Sequence, residues 1–200
     1  MITIGVTGGI GSGKSYVSNL LAGRGVPVFD CDSQAKRLTI EDEDIRKDLI
    51  ALLGPDIYTA EGLNKPVLAS FLFASKDNAI AVNAIIHPRV RKAFREWVCK
   101  QKADGVEVAA MESAILYESG FHTEVDKVLM VYAPVEIRFK RVIQRDCTTM
   151  EQVKRRMDSQ YPDEEKCRRA DYIIENDGVK PLQEQLDRLF SQLNGIKGYK

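Results

Sequence analysis

Long apolar runs, paired cysteines and net charge are all missing from this chain, and each absence removes a class of protein. Nowhere do about 18 consecutive apolar residues occur, the length a membrane-spanning helix needs, so no membrane partner is expected. The opening Met1-Ile2-Thr3-Ile4-Gly5-Val6 places no basic residues ahead of a long apolar stretch, and the expected location is cytoplasmic. Cys31, Cys99, Cys147 and Cys167 form no C-x-x-C pair, which argues against a zinc site and a disulfide framework; all four read as reduced thiols. Lys plus Arg and Asp plus Glu each number 29, so no overall field draws in nucleic acid or an anionic membrane. Any anion must be recognised by a local arrangement.

What is present points to one α/β domain. With 44% hydrophobic residues, 200 residues can bury a single substantial core and a small appended subdomain. Five short apolar segments, residues 2–6, 26–29, 106–111, 128–131 and 172–174, read as strands buried on both faces, hence a parallel sheet flanked by helices. Leu182, Leu186, Leu189, Phe190 and Leu193 lie on one stripe after Pro181, the pattern of an amphipathic helix packed on that sheet. Between the second and third strands only helical periodicity is visible, with Ile45, Leu49, Leu52 and Leu53 in one stretch and Val90, Phe94, Trp97 and Val98 in another. A crossover needs far fewer residues, so residues 33–104 are expected to be a helical insertion built to bind something, or a structural cap.

Gly8-Gly9-Ile10-Gly11-Ser12-Gly13-Lys14-Ser15 matches G-x-x-x-x-G-K-[ST] between the first strand and a helix start. Glycines at these positions let the backbone wrap its N–H groups around phosphate oxygens, and the helix N-terminus adds its positive dipole end. Gly9 to Ser15 are therefore expected to hold a nucleotide, with Lys14 on the β- and γ-phosphates and the Ser15 hydroxyl on magnesium. The fold class implied is a P-loop NTPase-type five-stranded parallel sheet.

Asp30 and Asp32 follow the second strand, at the sheet edge where open α/β proteins bind ligands, and are expected to face the P-loop crevice. Either can take the proton of an acceptor hydroxyl; alternatively, one of them caps the helix beginning near Ser33. Glu112 follows the third strand and Glu118 lies beyond it; each is a candidate for magnesium's water shell or for substrate, and Glu118 can equally be a solvated loop charge. After Pro134, Arg138, Arg141 and Arg145 share a helical stripe, suited either to a phosphoryl group or to solvent. Lys154, Arg155, Arg156, Lys166, Arg168 and Arg169 follow with few large apolar residues, as in an exposed, hinged lid.

Beyond the loop, further segments are informative together: Val26-Pro27 through Asp30-Cys31-Asp32, Ile86-His87-Pro88, Ile115-Leu116-Tyr117-Glu118, Arg141 with Arg145, Arg156 to Gln160, Lys166, Ala170-Asp171 and Asn176. In this order, from the first strand to Asn176, they resemble the dephospho-coenzyme A kinase family, including its D-A-D, V-H-P, L-L-F-E and R-x-x-x-R motifs. The resemblance implies ATP-dependent phosphorylation of the 3′-hydroxyl of dephospho-CoA, the last step of coenzyme A synthesis, with magnesium as cofactor. It makes Asp32 the leading base, with Lys14 and Arg141 as catalytic partners. Arg145 and Asn176 join the nucleotide site, Asn176 near adenine, while His87, Arg91 and Glu118 join Asp32 around the acceptor. It also makes the insertion the acceptor-binding part and residues 141–169 the lid. His87 by itself, standing before Pro88, would sooner mark the end of one helix and the start of another.

The sequence departs from the family pattern at Tyr16, usually threonine, at Ala114, usually proline, at Arg138, usually glutamine, and at Asn64-Lys65, where an acidic-Arg pair is common. Two other readings share the loop. A nucleoside or nucleotide kinase would differ in its acceptor pocket, and a P-loop switch or regulatory ATPase would hydrolyse nucleotide without an acceptor. The guanine-reading N-K-x-D of many switches does not occur. Nothing in the sequence sets the oligomeric state.

Overall fold

The computed structural model describes residues 1–197. It divides into two compact units, Met1–Val28 with the chain from Gln101 on, and Phe29–Lys100.

In the first unit, β1 (Ile2–Thr7) leads through the P-loop into α1 (Lys14–Gly23); β2 (Val28–Asp30) follows where the chain passes into the second. The five-stranded sheet has the order β2-β5-β1-β6-β7, with β5 (Val108–Glu112), β6 (Lys127–Tyr132) and β7 (Tyr172–Glu175). β1 runs parallel to both neighbours, with Ile4 opposite Ala110 and Gly5 opposite Val128, and β6 runs parallel to β7. Ile4, Val6, Leu129, Val131 and Ile174 pack with Val17 and Leu21 of α1 and with Leu186, Leu189 and Leu193 of the last helix. Each such side chain contributes about 1.5–3 kcal/mol by leaving water. The expected apolar segments thus form the sheet, with boundaries moved by up to two residues. β7 is the exception to two-sided burial: it is an edge strand, and Ile173 is 48% exposed. Among the described residues, no helix is long and apolar enough to cross a membrane.

The Phe29–Lys100 unit begins with α2 (Cys31–Glu41) and α3 (Glu43–Leu53), started by side-chain caps: Asp30 accepts from the N–H groups of Asp32 and Ser33, and Asp42 from that of Ile45. A short antiparallel hairpin follows, β3 (Tyr58–Thr59) against β4 (Gly62–Leu63), where the sequence pattern predicts helix alone. Two paired residues per strand are too few to register as alternation, and Gly62, at φ 113°, supplies a conformation other residues resist. α4 (Lys65–Ala74) is capped by Asn64, and α5 (Lys76–Ala103) continues through Pro88 without a break. The expected helix boundary at His87-Pro88 is therefore absent. Pro88 cannot donate to the Ala84 carbonyl, but both residues lie on the exposed face, where solvent can satisfy the freed acceptor. The apolar stripe ends in a ring cluster, Phe29 with Phe94 and Trp97 at centroid separations of 5.3 and 5.5 Å.

After β6 the first unit continues with α6 (Val135–Asp146), α7 (Met150–Asp158) and α8 (Asp163–Arg169), and ends in α9 (Leu182–Lys197). Thr149 and Gln152 form a reciprocal capping box at the start of α7.

Candidate active site

The P-loop's glycines are required by what surrounds them. Gly13 caps α1 in the left-handed region at φ 87°, and a Cβ there would collide with the Asn176 amide. A Cβ on Gly9 would run into the Arg138 guanidinium and the Asp163 carboxylate. With no side chains in the way, the backbone turns tightly enough for the Ser12 N–H to reach the Gly9 carbonyl at 3.0 Å.

Lys14 and Ser15 converge on one oxygen. Glu112, the last residue of β5 and only 6% exposed, forms an ion pair with Lys14 through Oε1, and the same atom accepts from the Ser15 hydroxyl at 2.7 Å. Burial alone would raise the Glu112 pKa, but Lys14 beside it, with the hydroxyl bonds, holds the carboxyl below its ordinary range. In the sequence Glu112 stands out only by its position after a strand; its pairing with Lys14 depends on β1 and β5 being neighbours in register, Val6 opposite Glu112. Thr7, the last residue of β1, and Ser113, directly after β5, carry buried hydroxyls with no protein partner.

The three arginines expected on one stripe have three different fates. Arg138 is 3% exposed, ion-paired to Asp163, and donates from Nε to the Ile10 carbonyl at 2.9 Å. Arg141 reaches the Ser12 carbonyl at 3.4 Å and the Asn176 Oδ1 at 3.5 Å. Arg145 is 65% exposed at its side chain and binds Asp146, which also holds Arg156; the stripe is not one phosphate-facing set. Asn176, expected near adenine, donates from Nδ2 to the Ser12 carbonyl at 2.8 Å, so its amide braces the underside of the loop.

Glu118 is held by the chain itself. Its Oε1 takes the Lys166 ammonium at 2.9 Å and the Tyr161 N–H at 2.7 Å, and Lys166 also donates to the Ala114 carbonyl at 2.8 Å. Lys166 is completely buried, although the sequence predicts an exposed basic segment here. Burial pushes its pKa down, and Glu118 pulls against that shift. Gln160, in the turn between α7 and α8, accepts from the Ile10 N–H at 3.1 Å.

The remaining sequence-predicted residues lie in the Phe29–Lys100 unit. Asp30 takes the capping role, with the Ser33 hydroxyl adding a bond at 2.6 Å, while Asp32 stands exposed in the first turn of α2. His87 and Arg91 are one turn apart on α5, both half-buried. Burial lowers the His87 pKa, and the Arg91 charge lowers it further.

A family model described as dephospho-CoA kinase matches residues 2–181. A dephospho-CoA kinase of Bacteroides fragilis is 50% identical over 192 residues, 96% of this chain and 93% of its own. The chain belongs to the dephospho-CoA kinase family. Among solved structures, a Thermus thermophilus protein matches this family member with TM-score 0.81 at 34% identity, covering 97% of this chain and 96% of its own. The dephospho-CoA kinase of Campylobacter jejuni matches with TM-score 0.68 at 24% identity, over 99% and 98% of the two chains, and shares the fold. Membership in the dephospho-CoA kinase family makes the protein a phosphotransferase acting on an alcohol group. The nucleoside kinase and regulatory ATPase readings are not favoured.

Proposed function

We infer that the protein transfers the γ-phosphoryl group of ATP to the 3′-hydroxyl of dephospho-CoA, giving CoA and ADP, and works in the cytoplasm. The family match across residues 2–181 carries this reading. Lys14 binds the β- and γ-phosphates, and the N–H groups of Gly11 to Ser15 cradle them. To do so Lys14 exchanges its ion pair with Glu112 for the nucleotide. Arg141, already at the Ser12 carbonyl, offers its guanidinium to the charge that develops on the transferring group.

Asp32 accepts the proton of the 3′-hydroxyl as the new O–P bond forms and the bond to the β-phosphate oxygen breaks. It stands exposed on the first turn of α2. His87 and Arg91 contribute acceptor contacts within the Phe29–Lys100 unit, and residues 141–169 act as the lid that keeps water from the phosphoryl group.

The donor set fits magnesium. Ser15 and Glu112 offer hard oxygens 2.7 Å apart, and the partnerless hydroxyls of Thr7 and Ser113 suit a hydrated ion beside them. No group of three or more His, Cys, Asp or Glu among the described residues could hold a metal by itself. Bound there, magnesium supplies charge neutralisation to the phosphates.

The test is ATP consumption with and without dephospho-CoA, set against nucleoside and nucleotide acceptors, with the product identified by mass. Acceptor-dependent formation of CoA is the expected result. Turnover with another hydroxyl acceptor alone would replace the substrate, and slow acceptor-independent hydrolysis would replace the reaction.

A further inference from the structure

The two peptide groups that meet at Ile10 of the P-loop are each gripped by a side chain from a distant part of the chain. The Ile10 N–H is bound by the Gln160 side-chain oxygen at 3.1 Å, and the Ile10 carbonyl by Arg138 Nε at 2.9 Å. The Gly9–Ile10 peptide cannot flip without breaking the Gln160 bond and the bond its Gly9 carbonyl accepts from the Ser12 N–H at 3.0 Å, and the Ile10–Gly11 peptide cannot flip without breaking the Arg138 bond. The grip on the carbonyl is itself fixed: Arg138 is buried, ion-paired to Asp163, and fills the space a Cβ on Gly9 would need. The Gln160 backbone is pinned too, its own N–H on the Met157 carbonyl at 3.0 Å and the next N–H, that of Tyr161, on Glu118 at 2.7 Å. An exposed amide making an incidental bond would have no such anchorage.

We propose that Gln160 is a positioning residue for phosphoryl transfer, acting with Arg138 on the two peptides that flank the Ile10 Cα. This rests on the kinase reading above. By taking the Ile10 N–H, Gln160 removes it from the donors that face the nucleotide and fixes the turn ahead of Gly11, so the following N–H groups converge on the phosphates in one geometry. A glutamine suits this place because it supplies a neutral acceptor; a carboxylate would set a negative charge beside the transferring group.

The test compares Gln160→Met, which keeps length and loses the acceptor, with Arg138→Gln, the residue usual in the family at this position, and with the double variant. Gln160→Met is expected to lower kcat at least about tenfold while KM for ATP moves less than about threefold. The double variant is expected to be no worse than the poorer single variant by more than about twofold, because both side chains hold the backbone of one residue, Ile10. Hydrogen exchange at the Ile10 amide, followed by NMR without substrate, is expected to quicken at least about tenfold in Gln160→Met. Wild-type kcat retained within twofold, a change in KM alone, effects that multiply in the double variant, or unchanged Ile10 exchange would each overturn the proposal. Failure of the wild-type protein to use dephospho-CoA would instead overturn the substrate reading and leave the exchange result to judge the grip.

Discussion

Around the P-loop, ionised side chains are buried and matched to one partner or two. Lys14 with Glu112, Arg138 with Asp163 and Lys166 with Glu118 all have side chains no more than 15% exposed. In the Phe29–Lys100 unit the charges stay near water: Arg37 and Glu41 pair at 50% and 57% exposure, and Arg89 is shared among Asp42, Asp44 and Asp48. A surface pair contributes about 0–1 kcal/mol, whereas removing one member of a buried pair strands a charge and costs several times more. The P-loop is thus set in a lattice in which most polar substitutions will be costly, and the other unit keeps surfaces that can change at little cost to stability.

The largest effect expected from this contrast is on chemistry at the buried end. Lys14→Ala removes the ammonium that must pass from Glu112 to the phosphates, and turnover should fall about a thousandfold, roughly 4 kcal/mol of transition-state stabilisation. Steady-state kinetics with a melting curve checks this; near-normal turnover would take Lys14 out of the mechanism. Next comes stability. Lys166→Met keeps the buried volume but leaves Glu118, whose Oε2 already lacks a partner, without its counter-charge, at a cost of about 3–5 kcal/mol in denaturant unfolding. Adding Glu118→Gln should recover part of that loss, and a single variant no weaker than wild type would erase the distinction between the two regions.

Asp32→Asn sharpens the comparison from the other side. The residue is exposed, so unfolding should be nearly unchanged, while loss of the proton acceptor should lower kcat about a hundredfold with little effect on KM for ATP. A change confined to KM would make Asp32 a binding residue.

The contrast also explains which parts were legible from sequence. The loop and the core strands are written in contiguous residues: a glycine cluster between Val6 and Lys14, and runs such as Val128 to Val131. Long-range polar partnership is not. Arg138 finds Ile10 at 128 positions' distance and Gln160 finds it at 150, so nothing near any of the three marks the contact. Periodicity placed Arg138 on a stripe with Arg141 and Arg145, but a stripe says which side chains share a helix face and not what will cover that face. Lys166 misled for the same reason, since basic neighbours describe a surface only until a buried carboxylate is brought opposite. In the other unit, the hairpin at Tyr58–Thr59 was too short to leave a pattern, and Pro88 looked like a helix end because its neighbours do not reveal that the freed carbonyl faces water.

The smallest expected effect concerns His87, a half-buried titratable group in the unit whose charges otherwise lie near the surface. Burial and the Arg91 charge both depress its pKa in the folded state below the ordinary value of about 6.5. The unfolded chain then binds the proton more readily than the folded one. The stability this withholding of a proton contributes is fully present above pH about 6.5 and is lost as pH falls through the lower, folded-state value. Between pH 7.5 and pH 5.5 the wild-type denaturation midpoint should therefore drop further than that of His87→Gln, in which the group is gone and the other titrations remain. Parallel declines in the two proteins would mean that Arg91 and the surrounding apolar groups leave His87 as accessible to protons as in the unfolded chain. In that case the contrast between a closely matched P-loop unit and a permissive helical one would hold for His87 as well.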